Sequence, residues 1–109
     1  MYTIILLLQA QPNWLKLSRT ERNTISEESF LSLLEKYKEH MSFEYHDSEA
    51  FHATFSDFLL IKAADLQKYY FFIEALRDSA LLSESYFELK EVVIGIPDGH
   101  KKYENHADY

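Results

Sequence analysis

Two segments of this chain have apolar side chains on both faces of a β-strand, and this feature limits the possible folds more than any other. They are residues 2–10, YTIILLLQA, and residues 54–63, TFSDFLLIKA, where the apolar block covers 58–61. Successive side chains of a strand point to opposite faces of its sheet. A strand that is apolar at odd and even positions therefore needs cover on both faces, which is typical of an inner strand.

Two other segments predict strands with one more polar, solvent-exposed face. Residues 41–47, MSFEYHD, alternate apolar and polar side chains, and residues 86–96, YFELKEVVIGI, carry Glu88 and Lys90 near their start. Alternation of this kind is typical of a half-exposed strand. A turn signal, Pro-Asp-Gly at residues 97–99, ends the last strand.

Two helices separate these strands. A capping box, Ser-Arg-Thr-Glu, begins at Ser18 and starts the first helix, which we expect to continue to about residue 40. A second capping box at residues 24–27 predicts a kink or a restart within this helix. Asp65 is a typical N-cap residue, and the second helix is expected over residues 66–82.

The order of elements, β-α-β-β-α-β, predicts an α+β domain of the ferredoxin-like type. In that fold the first and third strands are central and the second and fourth are edges, which agrees with the apolar patterns of the four segments. One such domain is expected over residues 1–99, followed by a polar and loosely held tail over residues 100–109.

The sheet face that the two helices leave uncovered is the reason to expect a homodimer. It carries more aliphatic side chains, from the first and third strands, than a monomer usually exposes. Two sheets packed face to face about a two-fold axis would bury this face, which is the arrangement of a dimeric α+β barrel. The alternative is that the tail or residues 47–53 cover it within one chain.

Charge, cysteine content and motifs exclude several functional classes. The formal net charge of -7 disfavours nucleic acid and membrane surfaces as partners, and no basic stripe opposes that conclusion. Without cysteine the chain has no disulfide or thiol nucleophile, which fits a reducing compartment. The N-terminal apolar run lacks the features of a signal peptide and is too short to span a membrane, so we expect a cytoplasmic protein. No phosphate loop or dinucleotide fingerprint is present, and no cofactor is expected.

Several motifs resemble those of the darcynin family of small bacterial proteins, over about residues 3–99. The most specific are W-L-x-L-x-R-x-x-R, S-D, and D-L-x-x-Y-Y-x-x-x-E-x-L-R-D followed by Y-F, represented by Trp14, Leu15, Leu17, Arg19, Arg22, Ser56, Asp57, Asp65, Tyr69, Tyr70, Glu74, Arg77, Asp78, Tyr86 and Phe87. The resemblance implies a relative of the dimeric α+β barrel proteins, which include cofactor-free oxygenases, isomerases and ligand-binding regulators. It implies no reaction, because the family has no assigned activity and a shared fold does not transfer one.

The first candidate site is Tyr70, Glu74 and Arg77 on the second helix. They run along one margin of the stripe expected to face the sheet, so we expect them to be half-buried. That stripe is predicted to consist of Leu66, Tyr69, Ile73, Leu76 and Ala80. Arg77 would hold a carboxylate or enolate beside Tyr70, since a guanidinium binds planar anions through two donors. The alternative, which we favour, is a salt-bridged network of Glu74 and Arg77 with Asp57 or Asp78.

The second candidate site is Trp14, Arg19 and Arg22. Both arginines lie near the N-terminus of the first helix, where free backbone N–H groups favour anions, and Trp14 lies in the predicted turn QPNWLKL. This grouping predicts a pocket for an anion attached to a ring. The favoured alternative is that Trp14 closes one end of the barrel while the arginines are solvated or pair with Glu21 and Asp57.

Histidines provide the third candidate. His40, His46 and His52 are six residues apart, a spacing that does not place metal ligands together on one element. A metal site built from His46, Asp47, Glu49 and His52 is much less favoured than solvated histidines, and no metal is expected. His52 is retained as a ligand-binding candidate.

Three functions are compatible with these residues. We prefer a small-molecule-binding protein whose apolar or anionic aromatic ligand lies between the helices and the sheet. The alternative is a cofactor-free oxygenase or isomerase in which His52, Tyr70 or Glu74 is the general base and Arg77 stabilises an oxyanion. The third is an acidic protein-interaction module that uses Phe71.

Overall fold

The four apolar or alternating segments all form strands of one antiparallel sheet in the computed structural model, which describes residues 1–106. The strands are β1 (Tyr2–Ala10), β2 (Met41–Asp47), β3 (Asp57–Ala63) and β4 (Phe87–Gly95). The helices are α1 (Pro12–Leu15), α2 (Arg19–Ser26), α3 (Ser32–Tyr37), α4 (Leu66–Asp78), α5 (Ala80–Ser83) and α6 (Gly99–Glu104), and a π-helical turn, Glu27–Leu31, joins α2 to α3. The main elements follow the predicted order, with short helical segments added.

The strands lie in the order β2-β3-β1-β4, and each neighbouring pair is antiparallel. Leu6 of β1 is opposite Leu59 of β3 on one side and Val92 of β4 on the other. The two strands that are apolar on both faces are therefore the inner ones. This confirms the prediction of an α+β, ferredoxin-like domain with central first and third strands.

The core lies between the sheet and the helices, and its centre is made of aliphatic side chains from the inner strands. Ile4, Leu6, Leu59 and Ile61 are fully buried and form one cluster with Phe72 of α4. Full burial of such a side chain stabilises a fold by about 1.5–3 kcal/mol relative to exposure. These residues therefore hold α4 against the sheet.

Helix α4, which is the second of the two predicted helices, turns a slightly different face to the sheet from the one predicted. Its buried residues are Tyr69, Phe72, Ile73 and Leu76. Leu66 is 39% exposed and does not belong to the stripe. Ser79 has extended backbone angles, which end α4 at Asp78, so the predicted helix over 66–82 is divided and Ala80 begins α5.

The first of the two predicted helices, observed as α2, begins at the predicted capping box. The Ser18 hydroxyl accepts a hydrogen bond from the Glu21 N–H at 3.1 Å, and the Glu21 carboxylate accepts one from the Ser18 N–H at 3.0 Å. The second capping box predicted at residues 24–27 is not used, since Thr24 lies inside α2 and its hydroxyl donates to the Thr20 carbonyl at 3.1 Å. The irregularity at this place is instead the π-helical turn, Glu27–Leu31.

Two segments predicted to be irregular are partly helical. The turn predicted before the first helix contains α1, which starts with Pro12 because the fixed φ of proline suits the first helical turn. The predicted tail over residues 100–109 contains most of the exposed helix α6, while residues 107–109 lie outside the described part of the chain. No helix of the described residues is long and apolar enough to cross a membrane.

The sheet face opposite the core, which we call the open sheet face, carries apolar side chains from three strands. They are Ile5 and Leu7 of β1, Phe58 and Leu60 of β3, and Val93 of β4. Each of them remains partly exposed, and Val93 is 46% exposed. This face is therefore not fully covered within the described part of one chain.

Candidate functional site

A cavity of about 410 Å³, which we call the helix–sheet cavity, lies between the helices and the end of the sheet where β1 and β2 finish. Its lining is largely apolar and aromatic, with Leu8, Ala10, Trp14, Leu15, Phe30, Leu31, Leu34, Leu81 and Phe87. Its polar residues are Arg22, Ser26, Tyr45, Asp47, Glu49 and Asp57. A cavity of this size that combines mainly apolar walls with polar groups is typical of a small-molecule site.

Aromatic rings from distant parts of the chain form the walls of this cavity. Trp14 packs edge-on against Tyr86 and Phe87, with ring centroids 5.7 and 5.0 Å away. Phe30 packs edge-on against Tyr45 at 6.1 Å. Phe30 belongs to the π-helical turn, a type of irregularity that occurs frequently at functional sites. The turn thus contributes directly to the cavity wall.

Asp57, the first residue of β3, is a buried carboxyl at this cavity and is only 8% exposed. The Tyr45 hydroxyl donates a hydrogen bond to its Oδ2 atom, and the Ser56 hydroxyl donates one to Oδ1. Burial raises the pKa of Asp57 to about 6, although the two hydroxyl donors favour the charged form. At neutral pH this carboxyl is therefore ionised, yet it is more basic than an ordinary aspartate.

Backbone bonds around Ser56 explain the position of Asp57. The Ser56 N–H donates to the Leu8 carbonyl at 2.9 Å, and the Ser56 hydroxyl accepts from the Ala10 N–H at 2.8 Å. The Ser48 N–H donates to the Ser56 carbonyl at 2.7 Å and closes the preceding loop. These bonds tie the start of β3 to the end of β1, and β3 consequently begins later than predicted.

Arg22 supports the wall that contains Trp14. Its Nε donates to the Trp14 carbonyl at 3.2 Å, and its Nη2 donates to the Leu15 carbonyl at 2.8 Å. These carbonyls belong to the end of α1, where the Trp14 carbonyl also accepts from the Leu17 N–H at 3.1 Å. Only two of the five N–H donors of a guanidinium are used in this way. The ion pairs among the described residues include neither Arg22 nor Asp57, so the positive charge at this wall is not neutralised by direct contact.

The structure brings together two of the three residues of the second predicted group. Trp14 and Arg22 line the helix–sheet cavity, whereas Arg19, the first residue of α2, is exposed and lies outside its lining. Neither arginine pairs with Glu21 or Asp57 within residues 1–106. Trp14 is 9% exposed and lies against Phe87, so it closes the end of the sheet and also contributes to the cavity.

The prediction that Tyr70, Glu74 and Arg77 are half-buried is wrong. All three are exposed, Tyr70 by 57%, and none of them lines the helix–sheet cavity. In the part of the chain that the structure describes, no salt bridge involves Glu74 or Arg77, so the predicted network is also not formed. The reason is the helical phase: the buried stripe is centred on Phe72 and Ile73, which directs these three side chains towards water.

Arg77 and His52 border two shallower grooves. Arg77 lies beside Phe87 at the start of β4, and its charge opposes the rise that burial causes in the pKa of Tyr69. The His52 ring stacks on Phe55, with ring centroids 4.0 Å apart, in a groove that also includes Gln9. Among residues 1–106, no three His, Asp or Glu side chains are grouped so as to hold a metal ion.

Asp57 and Tyr45 are residues of the helix–sheet cavity that sequence reasoning did not place in a candidate site. The sequence interpretation gives Asp57 as part of a family motif and as a partner for arginine. A lone carboxyl at the start of the apolar strand TFSDFLLI is itself a signal of a site, because aspartate is depleted in strands. Tyr45 gives no comparable signal. Its hydroxyl reaches Asp57 only because β2 and β3 are paired, with Tyr45 opposite Leu59.

Solved structures of longer proteins share this fold. The chain matches a novel heme-binding protein from Thermus thermophilus with a TM-score of 0.81 at 12% identity, over 94% of this chain and 43% of that one. It matches chlorite dismutase from Candidatus Nitrospira defluvii, in complex with imidazole, with a TM-score of 0.76 at 15% identity, over 93% of this chain and 45% of that one. This protein thus spans less than half the length of either, and the likeness concerns the fold alone.

Sequence comparison identifies the family. A family model described as "Darcynin, domain of unknown function" matches residues 1–107. Darcynin 1 from Acinetobacter baumannii is 36% identical over 89 residues, which cover 82% of this chain and 98% of the relative. Darcynin from Chromobacterium violaceum is 37% identical over 60 residues, which cover 55% of this chain and 76% of the relative. The resemblance seen in the motifs is confirmed, and the chain belongs to the darcynin family.

Proposed function

We propose that this protein binds a small, neutral aromatic molecule with one oxygen-containing group in the helix–sheet cavity. The observation that carries the proposal is the Asp57 carboxyl, buried at a cavity whose other walls are mainly aromatic and aliphatic. In such sites apolar walls supply affinity and a few polar groups fix the orientation of the ligand. The family has no known function, so the support for the proposal comes from the cavity itself.

The charges at the cavity favour a neutral ligand over an anion. Asp47, Glu49 and Asp57 line it together with a single cation, Arg22. An anionic ligand would meet this excess of negative charge, and most strongly that of Asp57, the buried one of the three. We therefore retain the apolar aromatic ligand of the sequence interpretation and discard the anionic one.

The residues of this cavity do not fit a heme held in the usual ways. Heme iron in proteins is ligated mainly by histidine, cysteine or methionine, and less often by tyrosine. None of the described residues that line the cavity is a histidine, cysteine or methionine, and the Tyr45 hydroxyl is bound to Asp57. The heme named for the Thermus thermophilus protein is accordingly not part of the proposal.

Ligand binding has a direct spectroscopic test. Trp14 is the only tryptophan of the chain, so its indole N–H gives a single signal in a proton–nitrogen NMR correlation spectrum. We expect 2-naphthol to shift this signal saturably with a sub-millimolar Kd, in keeping with the affinity of small fragments. Naphthalene-2-carboxylate should bind at least about ten-fold more weakly, a difference of about 1.4 kcal/mol.

Two matched variants locate the binding event. Ser26 lines the cavity, so Ser26→Phe should fill its space and abolish the 2-naphthol shift. Ser32 is exposed in α3 and does not line the cavity, so Ser32→Phe should bind as the wild type does. Normal binding by Ser26→Phe would place the ligand elsewhere, and a wild-type protein that shows no saturable shift would contradict the proposal.

We also propose that two copies associate through the open sheet face. Apolar side chains at its centre, such as Ile5 and Leu60, are only partly buried in one chain, and a face-to-face sheet packing would cover them. The chain also spans less than half of the solved structures that share its fold, so two copies have nearly the length of one such chain.

Native mass spectrometry tests this association. The wild type is expected at twice the chain mass of 12.9 kDa. Leu60→Lys should give a folded monomer, because it places a charge within the interface, while the opposite Glu44 offers a cross-strand ion pair that preserves the sheet. Phe71→Glu, on the exposed side of α4, should remain dimeric. A monomeric wild type, or a dimeric Leu60→Lys variant, would overturn the proposal.

A further inference from the structure

We propose that the helix–sheet cavity is a catalytic site in which Asp57 acts as a general base on a bound ketone, removing a proton from the carbon next to the carbonyl group. This inference rests on the proposed function, since it requires that the ligand bind in this cavity. It names the substrate class, an aromatic ketone with an acidic α-hydrogen, and the class of reaction, enolisation followed by reprotonation.

The first support is that Asp57 has no structural ion pair. A buried carboxylate is costly unless it is paired, and a structural role would be expected to bring a cation into contact with it. Arg22 lines the same cavity, yet no ion pair joins the two side chains. The base and the cation are therefore held at one cavity without neutralising each other, which leaves both for a ligand.

The second support is the way in which the carboxylate is held. Ser56 and Tyr45 each donate a hydrogen bond to a different oxygen of Asp57. Tyr45 is fixed by β2, and Ser56 is fixed by its bonds to the end of β1. Each oxygen of a carboxylate has two acceptor sites, so one site on each oxygen remains for a substrate proton. Ser56 and Tyr45 are positioning residues in this scheme, because they orient the base.

The third support is the basicity of the group. A general base works best when its pKa lies near the working pH, and burial raises the pKa of Asp57 to about 6. The titratable and charged side chains that share the cavity with it are Arg22 of α2, Tyr45 and Asp47 of β2, and Glu49 of the following loop. Asp57 thus combines burial with a basicity that suits proton removal at neutral pH, where it is ionised.

The proposed step conserves atoms and electrons without an oxidant or cofactor. The C–H bond next to the carbonyl breaks, and its proton goes to a free site on the Asp57 carboxylate. The electron pair of that bond forms a C=C bond to the carbonyl carbon, and the π pair of the carbonyl moves to its oxygen. The unused N–H donors of Arg22 stabilise the resulting enolate. Return of the proton to the same carbon gives exchange, and return to a conjugated γ-carbon gives an isomer.

Hydrogen exchange into 2-tetralone tests this step. The probe is an aromatic ketone with acidic hydrogens between its ring and its carbonyl, and deuterium uptake from D2O at that carbon is followed by NMR. We expect the wild type to accelerate uptake above the buffer rate, and Asp57→Asn to lose at least about 100-fold of this acceleration, the usual contribution of a general base. Asp78→Asn, at the exposed end of α4, is the matched control and should retain it.

The NMR signal and the exchange rate, measured on the same samples, distinguish a failure of binding from a failure of catalysis. If the Trp14 indole signal does not respond to 2-tetralone in the wild type, the proposed function itself fails for this ligand class. If the signal responds and no exchange above buffer occurs, the cavity binds ketones and the catalytic inference is overturned. Undiminished exchange by folded Asp57→Asn that still binds the probe would likewise overturn the role of Asp57.

A pH profile of the wild type keeps the inference testable even if Asp57→Asn does not fold. The exchange rate of the saturated protein should rise as Asp57 ionises and level off above about pH 6 to 7, with a midpoint set by the folded carboxyl. A rate that is flat from pH 4.5 to 8 after subtraction of the buffer reaction would exclude this carboxyl as the base.

Discussion

Phe72→Ala is expected to lower the free energy of unfolding by about 3–5 kcal/mol. Phe72 is fully buried in α4, and its ring lies 5.8 Å from that of Tyr37 and 4.9 Å from that of Phe43. It therefore joins α3, α4 and β2, and its removal leaves a cavity among rigid elements as well as losing apolar burial. A loss of this size is a large part of the stability of a typical domain.

Phe71→Ala is the matched control, because it removes the same ring from the neighbouring position. Phe71 is 44% exposed, and we expect its loss to cost less than about 1 kcal/mol. Urea unfolding followed by circular dichroism, at one protein concentration, measures both variants. Should Phe72→Ala prove too unstable to purify, Phe72→Leu should cost clearly less. Equal losses at the two positions would contradict the phase of α4.

Asp57→Asn is expected to remove a pH dependence of stability worth on the order of 3 kcal/mol between pH 4 and pH 7.5. In the folded protein the pKa of Asp57 is raised from 3.8 to about 6 by burial. The folded state therefore binds the proton more tightly than the unfolded chain does. The stabilisation is fully present below pH 3.8, and it is lost as the pH rises through about 6. Asparagine does not ionise, so the variant should lack this decline.

The quantity to compare is the difference in unfolding free energy between variant and wild type at each pH. The introduced asparagine would lose one of the hydrogen bonds from Tyr45 or Ser56, but that cost is nearly the same at every pH. The difference should thus shift in favour of the variant as the pH rises from 4 to 7.5. The control Asp78→Asn should show no such shift, and parallel pH profiles for wild type and Asp57→Asn would show that burial does not perturb this carboxyl.

Much of the fold follows from local patterns in the sequence. The capping box at Ser18 and the cap at Asp65 start helices where predicted, because a cap needs only residues within one turn. The first strand has the predicted bounds, Tyr2–Ala10, and the second has them as well, Met41–Asp47. The two strands with apolar side chains on both faces were correctly predicted to be the inner pair. A strand with this pattern needs cover on both of its faces, which is typical of an inner strand.

The helical phase of α4 shows where local patterns stop being sufficient. A run of four aromatic residues, Tyr69 to Phe72, offers more than one apolar stripe, so periodicity alone does not select the buried one. Contacts with Tyr37 and Phe43 select Phe72, and this places Tyr70 and Arg77 in water. The half-burial predicted for Tyr70, Glu74 and Arg77 is wrong for this reason.

The order of strands and helices, their caps and the inner strands of the sheet could therefore be predicted from the sequence, because these features depend on neighbours within a few residues. The cavity and its buried carboxyl could not, because they depend on contacts between distant parts of the chain. Asp57 becomes a buried, hydrogen-bonded carboxyl because Tyr45 of the paired strand donates to it, and because Trp14, packed on Phe87, lines the same cavity. Burial of a polar group is set by side chains far along the chain, and that is information that no local pattern contains.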